Sequence, residues 1–116
     1  MTDRIVGPAL RVILEAVDGI ETATLGKSFD EYCHDWLLRH GVQRGIEIIS
    51  EATRRIPPEL QATRPEIPWP QIAGIGNVLR HEYHRVSDTV VWNVITHHLP
   101  RLKAAILAIE AELPKE

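Results

Sequence analysis

Apolar residues along this chain recur three, four or seven positions apart rather than in strict alternation, so the pattern predicts helices and no sheet. From about Asp3 to about Thr24, Leu10, Ile13, Val17 and Ile20 form one stripe, with Arg11, Glu15 and Asp18 off it. Gly26 closes this helix. Ser28 followed three residues later by Glu31 has the form of a capping box, and it predicts a second helix through Tyr32, Trp36, Leu37 and Leu38. Gly41 either breaks that helix from the next or is absorbed into a longer one. A third stretch carries Val42, Ile46, Ile49 and Ile56 and must stop before Pro57-Pro58. Residues 57–70 hold five of the eight prolines and read as a connector with at most one helical turn, pinned by Trp69. A fourth helix follows from about Pro70 to about Tyr83, and Gly74 and Gly76 inside it suggest a close helix contact. The last helix starts near Ser87 or Asp88 and runs toward Glu112, with Val91, Ile95, Leu99, Leu102, Ile106 and Ile109 along one seam. Pro100 should bend or split it. The fold class is therefore all-α, an antiparallel bundle of four to five helices in one domain spanning 1–116.

Composition narrows the function. Thirteen Lys and Arg against sixteen Asp and Glu give a net charge of −3, so any nucleic-acid contact must come from a local basic cluster. One cysteine, Cys33, permits no intrachain disulfide and fits a reducing compartment; with charges interrupting the first apolar runs, the expected location is the cytoplasm. No apolar run approaches the roughly 20 residues of a membrane span.

The densest chemistry is the run Asn77-Val-Leu-Arg80-His81-Glu82-Tyr83-His84-Arg85, at the end of the fourth helix and the start of the following loop. Asn77 and His81, like His81 and Arg85, are four apart and share a helical face. A histidine flanked by arginines suits phosphodiester chemistry, because the imidazole moves a proton near neutral pH while a guanidinium steadies phosphate oxygens. The same residues also describe a solvated helix end whose cations complement the helix dipole. His81, His84, His97 and His98 lack the spacing of a zinc helix, and no metal or cofactor is expected. Cys33 beside His34 reads as a buried structural residue, Trp36, Trp69 and Trp92 as core or interface anchors, and Asp35 and Glu51 as members of a solvated face.

The stretches RVILEAVDGI, VQRGIEIISEATRRIPPEL, IPWPQIAGIGNVLRHEYHRV and VVWNVITHHLPRLKAAI together resemble the HepT family of the HEPN superfamily. These are small helical ribonucleases paired with a MntA-type minimal nucleotidyltransferase in toxin–antitoxin systems. The resemblance implies a homodimer in which two copies of an R-x(4 to 6)-H motif face each other. That motif reads arginine, a polar residue, three variable positions, histidine, one variable position and tyrosine. Asn77, His81 and Tyr83 match it, whereas Gly76 stands where the arginine is expected. Arg80 or Arg85 could supply the missing cation, or the site could be crippled.

On this resemblance the chain is expected to be a metal-independent endoribonuclease toxin of a type VII-like pair, with His81, Asn77, Arg80 and Arg85 as catalytic candidates. Tyr83 would accept AMP from the partner, a modification that silences the nuclease. Two alternatives stand beside it: a catalytically degenerate module that docks the nucleotidyltransferase, and a nucleotide or small-molecule sensor.

Overall fold

The computed structural model describes residues 2–82 and 87–114; Tyr83, His84, Arg85 and Val86 lie outside the described residues. Every regular element among the described residues is helical: α1 (Thr2–Thr24), α2 (Phe29–Cys33), α3 (Trp36–Thr53), α4 (Pro58–Gln61), α5 (Trp69–Glu82), α6 (Asp88–Asn93) and α7 (Leu99–Glu112), with a π-helical turn (Val94–His98) joining the last two. None of these helices is long and apolar enough to cross a membrane.

Local signals set the boundaries. At the end of α1 the Thr24 hydroxyl donates to the Ile20 carbonyl at 2.8 Å, and Gly26 takes φ +76°, the left-handed conformation that glycine adopts without steric cost. The capping box of α2 is complete: the Glu31 N–H donates to Ser28 Oγ at 3.1 Å, and the Ser28 N–H donates to the Glu31 carboxylate at 2.9 Å. The helix expected to run on through Trp36 stops here instead. Asp35 adopts an extended conformation and its carboxylate accepts the Leu38 N–H at 2.9 Å, so it caps a new helix that absorbs Gly41. Asp35 is thus a structural residue rather than one member of a solvated face.

The stop before Pro57 holds, since α3 ends at Thr53, and α4 is the single turn expected in the connector. Trp69 is buried and its indole N–H donates to the carbonyls of Gln61 and Arg64 at 3.0 and 3.1 Å, which ties the connector to the core. Pro100 does not split the last helix. It sits in the first turn of α7, directly after a turn in which the Leu99 N–H donates to the Val94 carbonyl, five residues back. A proline lacks the N–H that residue 96 would accept in a regular helix, and its ring crowds that carbonyl, so the helix widens there.

The sides of the bundle follow from named contacts. Arg11 and Asp18 of α1 pair with Glu110 and Lys103 of α7, at 2.8 and 3.0 Å, so those two helices run antiparallel. Ser50 and Arg54 of α3 both donate to the Ala73 carbonyl of α5, at 2.8 and 3.0 Å. Arg80, later in α5, shares a surface groove with the earlier Arg44 and Glu47, so this pair is antiparallel too. The central helix α3 lies between α1 and α5. All the stripe residues named from the sequence are buried: Leu10, Ile13, Val17 and Ile20; Val42, Ile46, Ile49 and Ile56; and Val91 through Ile109 along the last seam. Burying a side chain of this size contributes about 1.5–3 kcal/mol, so these seams hold the helix faces in place.

Candidate functional site

Helix α5 divides its residues between two faces. Leu79 and Gly76 are buried and Ile72 and Ile75 are half-buried toward α3, whereas Gly74, Asn77, Val78, Arg80 and His81 are exposed. Asn77 and His81 lie one turn apart on the outer face, and the Arg80 guanidinium approaches the Asn77 carboxamide oxygen at 3.4 Å. Three of the residues expected to carry chemistry are thus gathered at the C-terminal end of one helix. Arg80 and His81 occupy its last turn, where positive charge is favoured by the helix dipole. Arg85 and Tyr83 lie outside the described residues.

Gly76 has a definite structural role. Its backbone approaches α3 so closely that a Cβ built on it overlaps the Cβ and Oγ of Ser50, and it would also sit 3.6 Å from the Glu47 Cα. Position 76 is the contact point of the two helices, with Ser50 seated on it and hydrogen-bonded to Ala73. No other side chain fits there unless Ser50 gives way. Gly74, the other glycine expected at a close contact, faces open space instead.

Arg80 lies on the side of α5 that overlooks α3. There it lines a groove of about 360 Å³ with Arg44, Glu47, Glu51 and Arg55, floored by Val12, Ile48 and Ala52. Arg44 and Arg55 are not singled out by the sequence pattern. Arg44 lies within α3 and Arg55 in the turn just past its end at Thr53, so helical spacing alone does not bring the two together. Nor could the spacing give that Arg80 of another helix faces them.

Cys33 is half-buried, and desolvation together with the nearby Asp88 carboxylate pushes its thiol above the usual range, which opposes a thiolate nucleophile. Trp36 is 66% exposed and stacks on His40 with ring centroids 4.1 Å apart, so it is no core anchor. Trp92 is half-buried beside Tyr32 and Phe29, at centroid distances of 5.3 and 5.9 Å. Glu51 is exposed, as expected, but on the groove. His97 and His98 are exposed, and among the described residues no three His, Cys, Asp or Glu side chains gather as metal ligands.

Comparison with known proteins adds a second line of argument. The family described as "Ribonuclease HepT-like" matches residues 13–109. A Thermococcus cleftensis protein named "Probable ribonuclease HepT" is 35% identical over 94 residues, spanning 81% of this chain and 86% of the relative. A Caldanaerobacter subterraneus protein named as a candidate RNase is 31% identical over 102 residues, spanning 88% and 91% of the two chains. No solved structure matches.

Proposed function

Because the chain belongs to the HepT-like ribonuclease family, we propose that it is a metal-independent endoribonuclease and the toxin half of a toxin–antitoxin pair. The observation that carries this reading is the exposed set of Asn77, Arg80 and His81 on the outer end of α5, in a chain of this family. In the proposed reaction the His81 imidazole takes the proton of a ribose 2′-hydroxyl, and the freed oxygen attacks the adjacent phosphorus. The 5′-oxygen of the next nucleotide leaves and takes up a proton. The products are a 2′,3′-cyclic phosphate and a 5′-hydroxyl, and no oxidant or metal enters the balance. Asn77 orients phosphate or imidazole, and Arg80 or Arg85 offsets the negative charge that grows on the phosphate oxygens.

Homodimerisation belongs to the same proposal. Exposed Gly74 and Val78 flank Asn77 and His81 on α5, and a second copy seated there would bring another His81 toward the same phosphate, able to protonate the leaving oxygen. The regulatory partner would be a MntA-type nucleotidyltransferase. The Tyr83 phenol oxygen would attack the α-phosphorus of ATP, pyrophosphate would leave, and the resulting AMP adduct two residues from His81 would repel RNA by charge and bulk. The cytoplasm is the compartment in which such a pair would act.

One observation favours a second reading. Gly76 is packed against Ser50, so the position expected to hold the motif arginine is closed, and a degenerate module that docks its partner without cutting RNA is the competitor. The deciding experiment is cleavage of labelled single-stranded RNA in EDTA by the wild-type protein beside His81→Ala. Cleavage by wild type alone supports the nuclease; equal cleavage by both proteins refutes the role of His81; no cleavage by either supports the docking module.

A further inference from the structure

The groove between α3 and α5 is continuous with the candidate catalytic end of α5, because Arg80 belongs to both. Its guanidinium reaches Asn77 on one side and lines the groove with Arg44 and Arg55 on the other. We propose that this groove is an RNA-backbone site. In it Arg44 and Arg55 hold phosphates of single-stranded RNA extending away from His81, and Arg80 joins the two regions. The proposal rests on the ribonuclease reading and deepens it by assigning the path of the substrate.

Three features support this occupant. Guanidinium groups present planar forks of N–H donors that match phosphate oxygens, and Arg44, Arg55 and Arg80 are all exposed, so contact requires little desolvation. The chain as a whole carries −3, so no diffuse positive field draws RNA to it, and attraction must be local. Within the groove three arginines face Glu47 and Glu51, leaving one net positive charge, and the pair of Arg44 with Glu47 is loose at 3.7 Å. Finally, the floor is apolar, formed by Val12, Ile48 and Ala52. A rim of cations over an apolar floor suits a single strand, whose unstacked bases can lie against the floor while its backbone follows the rim.

The test measures binding of a fluorescein-labelled single-stranded oligouridine by His81→Ala protein across a salt series, with and without Arg44→Gln and Arg55→Gln. Removing one arginine–phosphate pair should lower the slope of log affinity against log salt by about 0.7, so the double change should remove about 1.4. Near 0.1 M salt the same relation gives about fivefold weaker binding per arginine. Arg55→Lys keeps the charge and should keep the slope, which separates the effect of charge from disturbed folding. Glu51→Gln should tighten binding, and Arg101→Gln on α7, outside the groove, should change nothing. In the cleaving protein the Arg44 and Arg55 changes should raise KM and leave kcat in place. An unchanged slope and an unchanged KM in a protein that still cuts RNA would overturn the groove and leave the ribonuclease standing. Absence of both RNA binding and cleavage in every protein, wild type included, would take down the two together.

Discussion

Replacing Gly76 by alanine adds a single methyl group to α5, yet the structure predicts a loss of stability. In an open helix this change stabilises by about 1 kcal/mol, because alanine is the better helix former. Here the new Cβ overlaps Ser50, which cannot swing clear without giving up its 2.8 Å hydrogen bond to the Ala73 carbonyl. Overpacking costs about 1–3 kcal/mol and the broken hydrogen bond about 1 kcal/mol, so the net expectation is a loss of about 1–3 kcal/mol. With an unfolding entropy of about 2.1 cal/mol/K per residue, this lowers Tm by about 4–12 °C for a chain of 116 residues. Gly74→Ala is the internal control: its Cβ meets nothing within 4 Å, so it should raise Tm. Thermal unfolding followed by circular dichroism at one fixed protein concentration reads both. A double-mutant cycle with Ser50→Gly sharpens the comparison. Removing the Ser50 side chain opens the space for Cβ, and the double variant should be more stable than the sum of the single losses by at least about 1 kcal/mol. If Gly76→Ala is as stable as Gly74→Ala, or the cycle is additive, the close contact is not what fixes glycine at 76.

Two further perturbations probe the frame around the site. Tyr32 is fully buried, its hydroxyl has no partner among the described residues, and burial pushes its phenol up to about 12, with Asp88 adding to the rise and Arg39 offsetting part of it. Below pH 10 both folded and unfolded phenols are protonated. Between about 10 and 12 the unfolded chain releases a proton that the folded one keeps, so stability should fall by about 2–3 kcal/mol across that window. Tyr32→Phe should flatten this fall in an alkaline denaturation series and cost little at neutral pH; an unaltered alkaline slope would exclude Tyr32 as its source. Asp35→Ala removes the cap that separates α2 from α3 and should cost about 1 kcal/mol, a drop of about 4 °C in Tm; no drop would mean that the Leu38 N–H is satisfied without it.

The residues that were legible in the sequence are those whose packing follows from periodicity. The seams of α1, α3 and the last helix declare which face turns inward before any neighbour is known, and Pro57-Pro58 stops α3 by steric rule. The break at Asp35 was hidden because Tyr32, Trp36 and Leu37 continue a plausible apolar spacing. Yet Trp36 and Leu37 are 66% and 73% exposed, and the aspartate before them was the truer signal. Pro100 announced a disturbance but not its form, since a widened turn and a broken helix relieve the same missing N–H. Gly74 and Gly76 looked equivalent, and only the position of α3 distinguishes an open surface from a close contact. The groove was illegible for the same reason: Arg55 lies past the end of α3, and Arg80 joins Arg44 and Arg55 only through the antiparallel packing of α5 on α3.

That packing also recasts the missing arginine. Read along the chain, Gly76 is an absent cation. In the fold, position 76 belongs to the helix contact, and Arg80, one turn later, stands at the edge of that contact beside Asn77, next in sequence to His81. On the proposed mechanism Arg80→Gln should therefore lower kcat by about 10²–10³, the range set by removing one charge-stabilising donor, and leave Tm close to that of wild type because the side chain is exposed. Gly76→Arg alone is a poor test of the other reading, since its first side-chain atom already strikes Ser50; combined with Ser50→Gly, it has a place to sit. If Arg80→Gln abolishes cleavage by the natural protein, the cation works from position 80. If the natural protein is inert and the Gly76→Arg, Ser50→Gly protein cuts RNA, the exchange of arginine for a tighter α3–α5 contact removed the reaction, and Arg80 did not take over the role.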